Sequence, residues 1–434
     1  MRRVAAHRPW LHPLAALALV GPLACGGSTS ETGTDTDTGT DTGNDTSTDM
    51  LPEGCDALVE AGPDARSELV GALLDASDGA TICLGEGDFM LDEEVEISGD
   101  GITLRGAGQD KTKFVFDPAV QFVGGNAIHI TGDNVTVEDF SVIDTPGTDA
   151  IRASDVTNVT YRRITVQWTT LRSSANGAYG LYPVGCTRVT ISECTVDGAA
   201  DAGIYVGQST AILVEDSVAL NNVAGIEIEN STGATVRGNH AYDNTGGLLI
   251  FNLPTLPVGD GKYTLAYDNI LENNNGENFA AGGTVGSVPV GLGAMILAAD
   301  FNEMRDNTIR GNDSVGIVVI SYLDALFDAY DDPNFDIYPE GNWIHDNTFE
   351  DNGANPDPIV QAIAAGVTTP VPEVGWDGCV DDAKDNGDGR LDLCLSGNGD
   401  AGFFNFAACG GMKEEDIATV TCEHSPLPEL PEGY

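Results

Sequence analysis

Polar side chains that could transfer protons and hold a sugar recur at a regular step in the middle of the sequence. The candidate catalytic residues are Asp201, Tyr205, Glu227 and Arg152. The candidate substrate-binding residues are Tyr182, Gln208, Glu229 and His129. Aromatic rings stack on sugar faces, and tyrosine, arginine, histidine and carboxylate groups together could remove and return a proton next to a uronate carboxylate. The alternative is that these are the ordinary polar residues of an exposed sheet face.

These residues lie on a repeat with a period of about 22 residues. Gly203, Gly225 and Gly247 each begin the same pattern: a small residue, an apolar residue, any residue and a second apolar residue. Alternation along a strand directs the two apolar residues inward and the residue between them outward. We therefore expect an exposed ladder with one polar side chain per coil, which includes Tyr205 and Glu227.

Two further stripes complete each repeat. The second stripe follows about eight residues later, as in 135–137 and 189–191, and the third runs between asparagines such as Asn239 and Asn244. Three short strands and three corners per repeat predict an all-β chain, a single right-handed parallel β-helix with ~22-residue coils. Stacked asparagines are expected to form a ladder and to adopt the left-handed backbone of their corner. A leucine-rich repeat is the rival, but it needs leucine at positions that valine, isoleucine, glycine and asparagine occupy here.

Composition divides the chain into five segments. They are a signal peptide (1–24), lipidated Cys25 with a disordered Ser/Thr/Gly/Asp tether (25–54), an N-terminal cap with the first coils (55–125), the parallel β-helix repeats (126–353), and C-terminal coils with a Cys-rich cap (354–434). A basic start, a short apolar run and small residues before Cys25 are typical of an exported lipoprotein. Plain secretion is the alternative. We expect an outer-membrane or cell-surface lipoprotein, otherwise a periplasmic or secreted protein.

The N-terminal cap is predicted to contain a helix. Residues 67–76 place leucine and valine at helical spacing, and Ser67 can cap the first turn. A helix here would cover the end of the stack, where apolar side chains and unpaired strand edges are exposed.

The chain is strongly acidic, with a net charge of −49 from 68 acidic and 19 basic residues. Such a surface repels nucleic acid phosphates and anionic lipids. We therefore exclude nucleic acid as a partner and expect membrane contact through the lipid anchor alone. The surface suits cations or neutral sugars, whereas a polyanionic substrate would need a bridging metal or a local basic patch. The oligomeric state is open.

Nine cysteines fit an exported chain, in which disulfides are permitted. If Cys25 carries the lipid, eight remain. The pairs nearest in sequence are Cys55–Cys83, Cys186–Cys194, Cys379–Cys394 and Cys409–Cys422. Spacing alone does not prove this pairing, and Cys83 could instead be a small buried residue.

The segment 384–392 matches a calcium-binding loop at some of its ligand positions and departs from it at others. Asn386, Asp388 and Asp392 match positions 3, 5 and 9 of such a loop, and Gly389 matches its turn. Lys384 stands at the first ligand position, and Leu395 replaces the closing glutamate. Ca²⁺ is therefore the one cofactor hypothesis, and a solvated Asp-Gly turn is the favoured alternative.

Five longer sequence segments resemble those of a known protein family. They are 176–184 (NGAYGLYPV), 201–209 (DAGIYVGQS), 225–231 (GIEIENS), 244–254 (NTGGLLIFNLP) and 278–280 (NFA). From about residue 81 onward, the chain resembles a family of bacterial parallel β-helix repeat proteins within the pectate-lyase-like superfamily. That superfamily includes polysaccharide lyases, C5-epimerases and galacturonan hydrolases, as well as non-catalytic adhesins. The paired aspartates of the hydrolases and the arginine-centred motif of the pectate lyases are absent from this sequence.

The resemblance and the polar row together imply a cell-envelope protein that binds, and could modify, a polysaccharide by lyase or epimerase chemistry. The alternative is a non-catalytic surface scaffold or adhesion module. Four insertions break the repeat, at 168–178, 253–262, 275–292 and 322–340. In an enzyme, we expect the polar row inside a groove walled by the insertions at 168–178, 253–262 and 322–340. A scaffold would show the same residues on a flat, open sheet.

Overall fold

Each coil of the computed structural model crosses three stacks of parallel strands. The structure describes residues 51–117, 119–324, 326–367 and 370–430. The predicted signal peptide, Cys25 and nearly all of the tether lie outside the described residues. The described residues belong to one compact unit, so the predicted segments from 55 onward are parts of the same body.

Strands are numbered in chain order. The first stack contains β4 (Glu93–Ile97), β7 (Val123–Ile130), β9 (Asp149–Ser154), β11 (Tyr179–Val184), β14 (Ala202–Gly207), β17 (Ala224–Glu229), β20 (Gly246–Phe251), β23 (Leu292–Leu297), β26 (Val315–Ile320), β29 (Val374–Trp376) and β31 (Phe403–Asn405). The second stack contains β1 (Ala57–Val59), β2 (Thr81–Leu84), β5 (Thr103–Arg105), β12 (Thr187–Ser192), β15 (Thr210–Glu215), β18 (Thr232–Arg237), β21 (Leu265–Tyr267), β24 (Glu303–Arg305), β27 (Trp343–His345) and β30 (Cys394–Ser396).

The third stack contains β3 (Gly87–Leu91), β6 (Thr112–Phe116), β13 (Thr195–Asp197), β16 (Val218–Leu220), β19 (His240–Tyr242), β22 (Ile270–Glu272), β25 (Thr308–Arg310) and β28 (Thr348–Glu350). Two long strands, β8 (Thr136–Ile143) and β10 (Thr157–Gln167), run through both the second and the third stack. The three predicted stripes are therefore the three stacks, and the prediction of a parallel β-helix is confirmed.

The register of the first stack follows the repeat. Tyr205 pairs with Glu227, Glu227 with Leu249, and Leu249 with Met295. Ile204 and Ile226 face the interior, where isoleucine, valine, leucine and alanine side chains from all three stacks form one continuous apolar core. Since strand neighbours alternate between faces, Tyr205 and Glu227 project away from this core.

The predicted asparagine ladders are present at both corners of the third stack. Asn239 donates through its side-chain amide to Asn269 at 3.0 Å, and the row continues through Asn307 and Asn347 to Asn398. A second row joins Asn222, Asn244, Asn274, Asn312 and Asn352. The expected left-handed backbone lies one residue earlier than predicted. The residues with positive φ are those just before the ladder members, for example Asp243 (φ 56°) and Asp268 (φ 55°).

The repeated glycine is explained by close approach. A Cβ on Gly225 would lie 2.6 Å from the carbonyl oxygen of Gly247 and 2.8 Å from the side-chain nitrogen of Asn244. Any larger residue would push the next coil and the ladder away, so each coil in this region has glycine at the second position of its first-stack strand.

Helix α1 spans Ala65–Asp75 and packs against β1, β3 and β4, with Leu69 fully buried. The predicted helix is thus present, but Ser67 as its cap is wrong, because Asp64 holds the N-cap position. Its role as a cap stays a prediction. Helix α2 spans Pro358–Ile363, and two 3₁₀ helices span Thr284–Ser287 and Ile417–Val420. Within the described ranges, each helix is too short or too polar to cross a bilayer.

The described part of the chain contains three disulfides, and one of them is the predicted pair Cys55–Cys83. The others are Cys379–Cys409 and Cys394–Cys422, so the predicted Cys379–Cys394 and Cys409–Cys422 pairs are wrong. The predicted Cys186–Cys194 pair is also wrong. Both thiols are free and buried, because each occupies its own corner column, where its backbone N–H donates to Ser209 or Ser217 of the next coil.

Candidate functional site

Loops fold over the outer surface of the first stack and enclose a groove of about 620 Å³. Its floor is formed by side chains of β11, β14 and β17, including Tyr182, Tyr205 and Glu229, with Gln208 at its edge. Its walls come from residues 253–256, Thr284, Tyr322 and residues 328–331. We call this the tyrosine–carboxylate groove. Two wall loops are joined, since the backbone N–H of Thr255 donates to Asp332 at 3.1 Å.

The expectation of an exposed ladder is wrong. Tyr205, Glu227 and Glu229 project outward from the coil, but they are only 4%, 3% and 7% exposed. The insertions cover this face, so outward direction and solvent exposure are separate properties here. The loop at 168–178 does not line the groove, contrary to expectation, because Arg172 ties it to the carbonyl oxygen of Asp243. The loop at 275–292 takes part instead, through Thr284.

Two tyrosine–carboxylate pairs lie side by side in this region. The Tyr205 hydroxyl donates to Glu229 Oε1 at 2.5 Å, and Gln208 Nε2 donates to the same oxygen at 3.2 Å. The Tyr179 hydroxyl donates to Asp201 Oδ2 at 3.3 Å. The structure thus brings the candidate catalytic residues Asp201 and Tyr205 close to the candidate substrate-binding residues Gln208 and Glu229. Their roles stay predictions.

Glycine permits the first of these pairs. The Tyr205 ring folds back over its own strand, and a Cβ on Gly207 would lie 2.3 Å from the Tyr205 hydroxyl oxygen. Gly207 also pairs in register with Glu229 on the next coil. With no side chain at this position, the hydroxyl can reach across to the carboxylate.

Three tyrosine rings form a cluster on the groove floor. The ring centroids of Tyr179 and Tyr182 lie 4.4 Å apart, and that of Tyr205 lies 4.8 Å from Tyr179 and 5.0 Å from Tyr182. Tyr179 was missed by the sequence analysis, although it directly precedes the repeat residue Gly180. Such a cluster offers large, rigid surfaces against which a sugar ring can pack.

Burial raises the pKa of the three carboxyl groups Asp201, Glu227 and Glu229. Loss of hydration raises the pKa of Asp201 to about 7 and that of Glu229 to about 7. Burial, followed by the charges of Asp201 and Glu229, raises the pKa of Glu227 well above its usual value. The Oε2 atom of Glu227 is buried without a hydrogen-bond partner among the described residues. Of the described residues that line the groove, none is basic, so no cation from this part of the chain offsets these carboxyl groups there.

Arg152 and His129 lie beside the groove rather than in it. The guanidinium of Arg152 sits 4.9 Å from the Tyr182 ring centre, and its Nε donates to Ser154 Oγ at 2.9 Å. His129 Nε2 contacts the same hydroxyl at 3.0 Å. The structure therefore extends the polar row past Tyr182, but it keeps Arg152 apart from the Tyr205–Glu229 pair. Asp149, on the same strand as Arg152, has its pKa raised by burial to about 6.

A separate acidic cluster has the spacing of a metal site. One oxygen each of Asp300, Asp336 and Glu340 lie within 4.8 Å of one another. Among the described residues, no other set of three or more histidine, cysteine, aspartate or glutamate side chains is this close together. The Lys384 ammonium contacts Asp336 and lies 3.5 Å from Glu340 Oε2, so a cation already stands beside this cluster. Burial raises the pKa of Asp300 to about 8.

The proposed calcium loop remains a prediction. Asn386 Oδ1 accepts from the backbone N–H of Asp388, and Asp388 Oδ1 accepts from that of Arg390. These are turn contacts, which agree with the alternative of an Asp-Gly turn and leave Asp392 as the third candidate ligand. Lys384, at the first ligand position, reaches the acidic cluster instead.

Comparison with known proteins settles the handedness of the coil. Residues 100–258 match the family model described as the right handed beta helix region. The fold is a right-handed parallel β-helix. No curated protein matches the chain.

Two solved structures from Azotobacter vinelandii share this fold. The A-module of the mannuronan C-5 epimerase AlgE6 has a TM-score of 0.54 and 16% identity, covering 79% of this chain and 93% of that module. The A-module of the mannuronan C-5 epimerase AlgE4 has a TM-score of 0.50 and 18% identity, covering 74% of this chain and 81% of that module. At this identity the likeness concerns the fold alone.

Proposed function

We propose that this chain is an exported protein that binds and chemically modifies a polysaccharide in the tyrosine–carboxylate groove. The observation that carries the proposal is the Tyr205–Glu229 hydrogen bond, which lies buried beside Asp201 and Glu227 under loops that belong to no repeat. Buried acids without neutralising cations cost folding free energy, and such groups concentrate at functional sites. Three stacked strands alone would not require them, because Leu249 and Met295 fill the equivalent positions.

The raised pKa values supply an acid and a base in one place. Carboxyl groups with a pKa of about 7 are partly protonated at neutral pH, so Asp201 and Glu229 can each hold or release a proton. The Tyr205 hydroxyl, joined to Glu229, can pass a proton to the sugar while the carboxylate takes one. The order of these steps depends on how the substrate lies.

We propose proton abstraction of the lyase or epimerase type as the reaction. In both reactions a base removes a proton from the sugar carbon next to a carboxylate, and an acid then protonates the leaving oxygen or the opposite face. Arg152 supports this choice. Its terminal nitrogens have no hydrogen-bond partner among the described residues, and it lies next to the floor residue Tyr182. It could thus pair with a carboxylate of a neighbouring sugar unit.

Two further observations support a polysaccharide as partner and an exported location. The solved structures that share the fold include enzymes named for their action on mannuronan. Three disulfides fit an oxidising compartment outside the cytoplasm. The lipid anchor at Cys25 and structural Ca²⁺ at Asn386, Asp388 and Asp392 are finer parts of the proposal.

A panel of polysaccharides with product analysis tests this function. Wild-type protein is incubated with uronate-containing and neutral polymers. Epimerised uronates are followed by NMR, unsaturated uronates by ultraviolet absorbance, and chain cleavage by reducing-end release. We expect unsaturated or epimerised uronates, with Glu229→Gln reducing the rate at least ~100-fold. The matched control is Glu350→Gln, which changes an exposed glutamate of the third stack. Binding without products would favour the scaffold alternative, and reducing ends without unsaturation would indicate hydrolysis.

A further inference from the structure

A second cavity lies on the same face of the coil, towards the C-terminus. It has a volume of about 550 Å³ and is lined almost wholly by apolar side chains. Met295 and Val318 of the first stack form its floor, Phe327 and Ile359 come from a loop and from α2, and Phe404 closes one end. The described residues place no charged side chain in its lining. We call it the apolar pocket.

The apolar pocket continues the row that builds the tyrosine–carboxylate groove. The outward positions run in register from Tyr205 and Glu227 through Leu249 and Met295 to Val318. The row thus changes from polar to apolar within the space of one coil. Strand β20, with fully buried Leu249, separates the two floors and lines neither cavity.

The two cavities also share walls. Tyr322 lines the groove and Phe327 lines the pocket, and their rings stack with centroids 4.8 Å apart. The 3₁₀ helix Thr284–Ser287 contributes Thr284 to the groove and Ser287 to the pocket. The pocket is therefore the next cavity along the row, separated from the groove by wall elements that the two cavities share.

We infer that the apolar pocket binds an aliphatic substituent, such as an acyl group, carried by a glycan whose sugar lies in the tyrosine–carboxylate groove. This inference rests on the proposed function for the identity of the sugar site. A pocket of this size and lining is typical of small-ligand sites. Rim residues Leu326 and Ile359 are 37% and 52% exposed, so the pocket is open at the surface.

The chemistry of the lining selects an aliphatic chain over other occupants. A peptide segment would bring backbone N–H and C=O groups that these apolar walls cannot satisfy. A second copy of the chain would bring another net charge of −49 to this acidic surface. An uncharged alkyl or acyl chain needs no hydrogen bonds and gains free energy by leaving water.

Calorimetry with two alkyl glycosides tests this inference without any catalytic turnover. The probes are octyl β-glucoside below its micellar concentration and methyl β-glucoside. We expect the octyl compound to bind at least ~10-fold more tightly, because its longer chain leaves water. Val318→Trp, which fills the pocket from its floor, should abolish this preference. Met295→Ala, which leaves the pocket open, should retain it.

The matched control is Ile270→Trp, at an exposed apolar residue on the third stack, and it should leave the preference unchanged. Equal binding of the two glucosides, or a preference that survives Val318→Trp, would overturn the inference. If no polysaccharide is modified but the pocket-dependent octyl preference is present, the proposed function fails and the pocket stands. If polysaccharide is modified and the preference is absent, the pocket fails alone.

Discussion

At the scale of single residues, several carboxyl groups are buried, and their ionised forms cost folding free energy there. Glu227 is fully enclosed, and one of its oxygens has no partner among the described residues. Glu229 shares its hydrogen bonds with Tyr205 and Gln208, both of which remain neutral. These groups are most stable when they hold protons, so the free energy of unfolding should report on them.

The stability of the protein should therefore depend on pH through Glu229. Its folded pKa is about 7, against ~4.3 in an unfolded chain. Because the folded pKa is the higher one, the stability that this group contributes is present below about pH 4 and is lost as pH rises through 7. The loss is on the order of 3 kcal/mol.

Urea unfolding at pH 5 and pH 8 measures this effect. We expect Glu229→Gln to gain stability relative to wild type as pH rises, because glutamine has no proton to lose. For Glu350→Gln, at an exposed position, the free energy of unfolding should change with pH as it does in wild type. Parallel pH profiles for Glu229→Gln and wild type would show that Glu229 titrates normally.

Gly207 should be as necessary as the tyrosine it accommodates. Gly207→Ala would place a methyl group 2.3 Å from the Tyr205 hydroxyl oxygen and displace it from Glu229. We expect the rate of polysaccharide modification to fall at least ~100-fold. Gly71→Ala in α1 is the control, since a Cβ there meets no atom within 4 Å. An unchanged rate in Gly207→Ala would mean that the Tyr205–Glu229 contact is not used.

At the scale of elements, the ladders show why the coil was easier to predict than the site. Glycine, asparagine and inward apolar residues recur because every coil meets the same neighbours above and below. Those local requirements repeat in the sequence and can be identified there. The groove depends on loops that occur once, so the sequence indicated which residues project outward but not that 275–292 rather than 168–178 would cover them.

The asparagine ladder should carry measurable stability. Asn274 donates to Asn312 and to the carbonyl oxygen of Ala241, and it accepts from Asn244. Asn274→Ala would leave buried polar groups of its neighbours unpaired, which costs ~2–4 kcal/mol. Asn355→Ala, at an exposed loop position, should change the free energy of unfolding by less than ~0.5 kcal/mol. Equal effects of the two variants in urea unfolding would contradict the ladder's role.

At the scale of the whole molecule, the three disulfides lie near the two ends of the described chain. Cys55–Cys83 lies in the first coils, and the other two lie beyond residue 378. The sequence could count the cysteines, but it could not pair the last four, because their pairing depends on how the irregular C-terminal segment folds. The corner columns that hold Cys186 and Cys194 also become visible only when the coils are stacked.

The free thiols of Cys186 and Cys194 should not react with alkylating reagents until the protein unfolds. Burial raises the pKa of Cys186 to about 11 and that of Cys194 to about 12. Since the thiolate is the reactive form, we expect iodoacetamide to leave both unmodified in the native state and to label both in denaturant. Peptide mass mapping reads out each site. Native labelling of these residues, or labelling of Cys379 and Cys394 without reduction, would contradict the disulfide pattern.

The central claim is that the tyrosine–carboxylate groove moves protons on a bound polysaccharide. Solvent-deuterium exchange into the sugar measures this most directly, with wild type, Glu229→Gln and Glu350→Gln compared in D₂O by mass spectrometry and NMR. We expect wild type and Glu350→Gln to place deuterium on the sugar carbon that bore the abstracted proton if the reaction is epimerisation, or to leave that carbon in a double bond if it is elimination. Glu229→Gln should give little or none of either product. Polysaccharide that wild type binds but returns with neither deuterium on carbon nor an unsaturated uronate would contradict the claim.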